Sequence, residues 1–122
     1  MNALIIDNAV LSAANLKCLL KDRSLNAISV SSENLSDTLR RLNKNTQLAI
    51  RYIFISVYVK INLSEFVRKL STDFPWAYIV LVYVKRCPEQ IPPSSSVIRD
   101  GVLGQPFDKK ELDKLLVLLE AR

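Results

Sequence analysis

Histidine is absent from the 122 residues, and glycine (two), cysteine (two) and tryptophan (one) are scarce. Each shortage removes a class of chemistry. Without an imidazole there is no histidine general base, no Ser-His-Asp triad and no histidine metal site. Two glycines, Gly101 and Gly104, cannot supply a Gly-x-Gly-x-x-Gly cradle or a P-loop for phosphate. Cys18, in an expected helix, and Cys87, in an expected loop, match neither a disulfide framework nor a metal-ligand spacing, and are read as free thiols. Carboxylates are missing from a long internal stretch. Between Thr38 and Ser64 there is no Asp or Glu, while Arg40, Arg41, Lys44, Arg51 and Lys60 all fall there. No apolar run is long enough to cross a bilayer, and the segment after Met1 reaches Asp7 without a basic leader or a small-residue cleavage site. The expectation is a cytoplasmic protein with no membrane association.

What is present indicates a folded domain. Apolar residues make up 49% and charged residues 24%, a balance too apolar for a disordered tail. The whole chain, 1–122, fits a single domain with one sheet, and no repeat or linker divides it. The net charge of +5 lacks the interleaved aromatics or binding helix of a nucleic-acid surface, so direct nucleic-acid binding is not expected.

Strand and helix signals alternate along the chain. Ala3 to Asp7 is a continuous apolar run ending in a carboxylate, as in a buried parallel strand. A helix follows from Asn8, its expected N-cap, to about Asp22. Asn26 to Val30 is a modest second strand, and Leu35, Leu39 and Leu42 share one face of a second helix over Ser32 to Leu42. After a polar loop, Asn43 to Gln47, the β-branched and aromatic run Arg51 to Val59 predicts a central third strand. Asn62-Leu-Ser-Glu65 is a capping box for a third helix ending before Pro75, and Ala77 to Val84 is a strongly apolar fourth strand. The stretch Lys85 to Asp100 carries Pro88, Pro92 and Pro93, so any fourth helix there is short or irregular. Val102 and Leu103 give a brief fifth strand. Asp108-Lys-Lys-Glu111 then caps a fifth helix striped by Leu112, Leu115, Leu116 and Leu119.

This alternation predicts an α/β fold: a doubly wound parallel sheet of five strands with helices on both faces. In such sheets the functional crevice lies beyond the C-terminal ends of the strands. The positions to interrogate are therefore Asp7 and Asn8, the segment around Ser56, Val82 to Val84, and Gln105.

The order of elements, the Ile-Ile-Asp-Asn ending of the first strand and the segment GVLGQPFDKKEL resemble the receiver domains of bacterial response regulators. The likeness runs from Ala3 to the last helix. It implies a flavodoxin-like fold with strand order 2-1-3-4-5 and a Mg²⁺-dependent aspartyl phosphorylation pocket. A receiver uses paired carboxylates after its first strand for the metal and an Asp at the end of the third strand as acceptor. A Thr or Ser on the fourth strand and a Lys on the fifth hold phosphate oxygens.

This chain departs from that set. Asp7 keeps one carboxylate, but Asn8 replaces the other, which weakens any residual Mg²⁺ site. Ser56 is the best match to the acceptor, and no carboxylate lies close enough in sequence to replace it. Val82 or Tyr83 stands at the Thr/Ser position, and Gln105 replaces the lysine ahead of Pro106-Phe107. The resemblance thus implies a degenerate pseudo-receiver with no enzymatic activity and no cofactor. Asp7 is read as a cap or dipole carboxylate, with a weak cation site as the alternative. Gln105 is expected to fill the emptied pocket by hydrogen-bonding Asp7, Asn8 or Ser56.

Function then falls to surfaces. Val117 and Leu118 lie away from the leucine stripe of the fifth helix, and Val102 occupies the position where many receivers have a switch aromatic. By resemblance these three are candidate homodimer contacts. The expectation is a phosphorylation-independent module that dimerises or docks, most often the N-terminal part of a transcription regulator. The alternatives are a stand-alone adaptor, or a divergent receiver or small enzyme with residual phosphorylation or ligand binding.

Overall fold

The strands form where apolar and β-branched residues run without interruption, because each is covered on both faces. The computed structural model describes residues 2–57, 62–86 and 99–121. The expected irregular fourth helix, Cys87, the proline-rich loop and the tail of the third strand lie outside the described residues. Five strands, β1 (Asn2–Ile6), β2 (Asn26–Val30), β3 (Ile50–Ser56), β4 (Tyr78–Val84) and β5 (Gly101–Gln105), pair in the order β2-β1-β3-β4-β5. Every pairing is parallel, as expected for the flavodoxin-like order.

Side chains alternate between two cores, as the pleat requires. Tyr52 and Phe54 of β3 join Ala3, Ile5, Val80, Val82 and Leu103 on one face. That face is covered by α1 (Val10–Lys21), through Ala13, Leu16 and Leu20, and by α5 (Lys109–Glu120), through Leu112, Leu116 and Leu119. Ile53 and Ile55 join Leu4, Ile6, Ile79 and Leu81 on the other face, beneath Leu35 of α2 (Leu35–Arg41) and Val67 and Leu70 of α4 (Leu63–Asp73). Burying each such side chain is worth about 1.5–3 kcal/mol. These contacts, repeated on both faces, hold the three layers together.

Two helices begin at the expected caps: Asn62 Oδ1 accepts from Glu65 N at 3.3 Å, and Asp108 Oδ1 accepts from Glu111 N at 2.9 Å. Two local expectations are corrected. Asn8 is not the cap of α1; its Oδ1 accepts from Ser32 N at 3.0 Å, tying the loop after β1 to the 3₁₀ turn Ser32–Asn34. The segment expected as a polar loop contains a short helix, α3 (Lys44–Leu48). Asn43 caps it by accepting from Thr46 N at 2.8 Å, and Gln47 Nε2 donates to Leu39 O at 2.7 Å and Leu42 O at 3.3 Å. A helix of five residues is too short to display an apolar period, so its signal lies in the cap alone. The scarcity of glycine shows at the end of α1. Ser24 takes the left-handed conformation (φ 62°) where glycine is usual, at a cost of roughly 1 kcal/mol.

At the N-terminal end of β3 the last turn of α5 is fastened to the sheet. The Tyr52 hydroxyl donates a short hydrogen bond to Glu120, and Arg51 reaches the same carboxylate at 3.4 Å. The Arg51 guanidinium lies 4.8 Å from the centre of the Tyr78 ring, which stacks on Tyr52 at 5.8 Å. Hydrogen bonds from Tyr52 and Arg51 hold the Glu120 carboxyl below its ordinary pKa, whereas burial, reinforced by the bond to Glu120, raises that of Tyr52.

A carboxylate depressed in the folded state contributes stability above its unfolded pKa and loses that contribution as pH falls through its folded pKa. We therefore expect Glu120→Gln to be less stable than the parent at neutral pH. The two should converge on acidification through the range below the ordinary glutamate pKa, as read by urea midpoints across pH. A difference that is constant with pH would contradict the ionic account.

Candidate functional site

The crevice expected at the C-terminal ends of the strands is shaped by where each strand stops. β3 ends at Ser56, which pairs in register with Val82 of β4, while the Val57 amide donates to Val82 O at 2.9 Å. Two-sided burial continues to the last residue, so Ser56 is only 2% exposed. Its hydroxyl has no hydrogen-bond partner among the described residues. Among the described residues no base or carboxylate is in hydrogen-bond contact with this hydroxyl.

Asp7 follows β1. Its Oδ1 accepts from Ala9 N at 2.8 Å, so the carboxylate caps the entry to α1, where the positive end of the helix dipole favours it. Asn8, next to it, is engaged with Ser32, its Nδ2 reaching Ser32 Oγ at 3.5 Å. The donor set does not fit Mg²⁺. Asp7 is the one carboxylate at this end of β1, the Asn8 carbonyl is committed to Ser32, and no cluster of three acidic or thiol ligands exists among the described residues.

Gln105, at the end of β5, does not bond Asp7, Asn8 or Ser56. Its Nε2 donates a short hydrogen bond to Ser12 Oγ in the first turn of α1, across the start of the cis Gln105–Pro106 turn. The reason is reach: an amide is shorter than a lysine, and Ser12 is the acceptor that α1 presents to it. Sequence reasoning missed Ser12, whose only signal is a polar residue in the first turn of an otherwise apolar helix face. Gln105 lines a hollow of about 370 Å³ with Leu11, Ser12, Asn15 and Phe107. Asp7 and Asn8 line another, of about 450 Å³, with Lys17, Ser31, Asn34 and Thr38. The residues expected to form one pocket are thus distributed over separate hollows, Asp7 and Asn8 in one, Gln105 in another and Tyr83 in a third, with Ser56 lining none of these.

Val82 is buried in the core and carries no hydroxyl to this end of the sheet. Tyr83, the other residue at the Thr/Ser position, lies over β5. A Cβ added to Gly104 would come within 2.8 Å of Tyr83 Cζ and 2.9 Å of its hydroxyl oxygen. Gly104 is therefore the residue that lets the Tyr83 ring cross the neighbouring strand. Lys85, just after β4, forms an ion pair with Glu111 of α5 at 2.8 Å.

Of the surface candidates, Val117 and Leu118 are each 59% exposed, on the side of α5 opposite its buried leucines. Val102 is different. It is half-buried and packs against the core containing Leu81, lining a hollow of about 330 Å³ with Tyr83, Leu115 and Leu118.

An unpartnered buried hydroxyl costs free energy, on the order of 1–3 kcal/mol when fully desolvated. Ser56→Ala should therefore leave the unfolding free energy unchanged or raise it by about 1 kcal/mol, read from urea denaturation. A loss of stability would mean that the hydroxyl is bonded in solution.

No protein-family model matches the chain, and no curated protein does. Solved structures do match in fold. A response regulator from Thermotoga maritima aligns with a TM-score of 0.76 at 16% identity, covering 99% of this chain and 98% of that one. A response regulator receiver domain (CheY-like) from Methylobacillus flagellatus aligns with a TM-score of 0.74 at 20% identity, covering 98% of each chain. RcsB from Salmonella enterica serovar Typhimurium, solved bound to promoter rprA with the phosphomimetic BeF3⁻, aligns with a TM-score of 0.72 at 15% identity, covering 98% of this chain and 67% of that one. The chain has the receiver fold over its full length.

Proposed function

We propose that this chain is a receiver-fold signalling module that acts by contact and does not run an aspartyl phosphorylation cycle. The observation that carries the reading is the end of β3, where the acceptor position is Ser56, buried, neutral and without a partner among the described residues. The rest of the site supports it. Asp7 is used to cap α1, Asn8 to hold the Ser32 turn, and Gln105 to hold Ser12, so each polar side chain already serves the fold. A fixed set of hydrogen bonds keeps one arrangement of β5 and α1 without an added phosphate.

Incubation with acetyl phosphate and Mg²⁺ should leave the mass unchanged, and beryllofluoride should leave the amide spectrum unchanged. A phosphoryl mass increment, or a spectral change saturating with beryllofluoride, would overturn the reading. Such a result would favour a divergent receiver with residual chemistry.

The partner surface is the outer side of α5. Val117 and Leu118 form an apolar spot on a helix held at both ends, by Lys85 through Glu111 and by Tyr52 and Arg51 through Glu120. Val102, on β5, borders the same side through its hollow with Leu118. A homodimer through this side suits a regulatory module joined to an effector domain, and the promoter-bound RcsB structure supports a transcription regulator as the context. Light scattering should give twice the chain mass for the parent and the monomer mass for Val117→Glu. A mass unchanged by the substitution would count against this interface.

A further inference from the structure

We propose a second docking site, at the opposite end of the sheet from Ser56: the hollow between Leu48 and Trp76 takes an acidic segment of a partner protein, anchored by an apolar side chain. Leu48 is 52% and Trp76 37% exposed, and they are the large apolar residues left uncovered at the N-terminal ends of β3 and β4. Together with Ala49, Ile50 and Arg51 they line a hollow of about 320 Å³. That volume lies near the lower end of the range for ligand pockets, enough for one or two buried side chains.

Both walls are fixed before any partner arrives. Trp76 Nε1 donates to Ile50 O at 3.0 Å, and its ring packs edge-on against Phe74 at 5.7 Å. Leu48 rides on α3, which is capped by Asn43 and tied to the end of α2 through Gln47. Arg51, at the floor, is held by Glu120 and by the Tyr78 ring. Pre-ordered walls remove much of the side-chain entropy that docking otherwise costs, and an exposed tryptophan beside a hollow is the residue type that dominates interface energies.

Charge selects the occupant. The chain leading into the hollow has no carboxylate from Thr38 to Ser64; exposed Lys44 stands one turn before Leu48 on α3, and Arg40 and Arg41 are exposed at the end of α2. The carboxylates Asp37 and Glu120 are engaged by Arg40 at 3.6 Å and Arg51 at 3.4 Å. Arg41 and Lys44 have no ion pair among the described residues. Asp73, at the end of α4, stands three residues before Trp76, so the cationic rim is the one that α3 builds, through Lys44. An acidic strand or helix crossing that rim would place an apolar side chain in the hollow. Single-stranded nucleic acid fits less well, since it uses several aromatic platforms in a row and this site has one.

Trp76 is the only tryptophan in the chain, so its emission reports on this site directly. The full chain is titrated with a short synthetic peptide of Glu and Asp interrupted by Leu and one Phe. Parallel titrations use the same peptide with Lys for each acid, the acidic peptide with Ala for each apolar residue, and oligo-dT. The expected result is a saturable emission change with the acidic, apolar peptide alone, weakening with added salt. Affinity should fall roughly tenfold in Leu48→Glu and in Arg41→Glu/Lys44→Glu. The proposal is overturned by no saturable change, by an equal response to the lysine peptide or to oligo-dT, or by an emission change with protein concentration alone, which would assign the hollow to a second copy of this chain. Circular dichroism of each variant separates loss of binding from loss of fold.

Discussion

The structure depends on β3 being buried on both faces. Tyr52 and Phe54 belong to the core beneath α1 and α5, Ile53 and Ile55 to the core beneath α2 and α4, and β3 joins β1 to β4 at the centre of the sheet. A strand in that position has no solvent-facing side, and the constraint runs to its last residue. At Ser56 the result is a dry hydroxyl in the register of Val82. A carboxylate at such a position pays a heavy desolvation penalty unless a cation is paired with it, and Gln105 offers none. A neutral residue at the end of β3 is therefore the less costly arrangement where no cation is at hand to pair with a carboxylate.

The remaining polar groups at this end of the sheet are each tied into the fold locally. Asp7, Asn8 and Gln105 each lie at a strand end or within two residues of one, and no hydrogen bond joins them to one another among the described residues. Asp7 turns to the Ala9 amide, Asn8 to Ser32 and Gln105 to Ser12. The frame around them is intact: the capped α5, the turn through Pro106 and Phe107, and Gly104 making room for Tyr83.

The sheet, its order and most of the core were legible because long two-sided apolar strands and leucine stripes are strong periodic signals, and because two of the caps, Asn62 and Asp108, stand three residues before a glutamate. Short and tertiary features were not. The helix α3 has too few residues for a period, and the role of Asn8 depends on Ser32, which lies 24 residues away. The identities at the site could be read from sequence, including the absence of an acceptor carboxylate. Their partners could not. Whether Gln105 reaches Asp7 or Ser12 is decided by the placement of α1 against β5, and whether Tyr83 faces the site or the neighbouring strand is decided by the pleat.

If phosphate does not move this domain, its surfaces must be presented in one fixed arrangement, and the network around α5 meets that need. Its inner face is held by Leu112, Leu116 and Leu119, its first turn by Glu111 on Lys85, and its last turn by Glu120 on Tyr52 and Arg51. Arg51 belongs to two structures at once. It anchors α5 through Glu120 and forms the floor of the hollow beside Trp76. A ligand in that hollow that drew Arg51 away from Glu120 would loosen the end of the helix that carries Val117 and Leu118. The two proposed surfaces are thus joined through one guanidinium, by a path that runs along the N-terminal end of the sheet, away from Ser56.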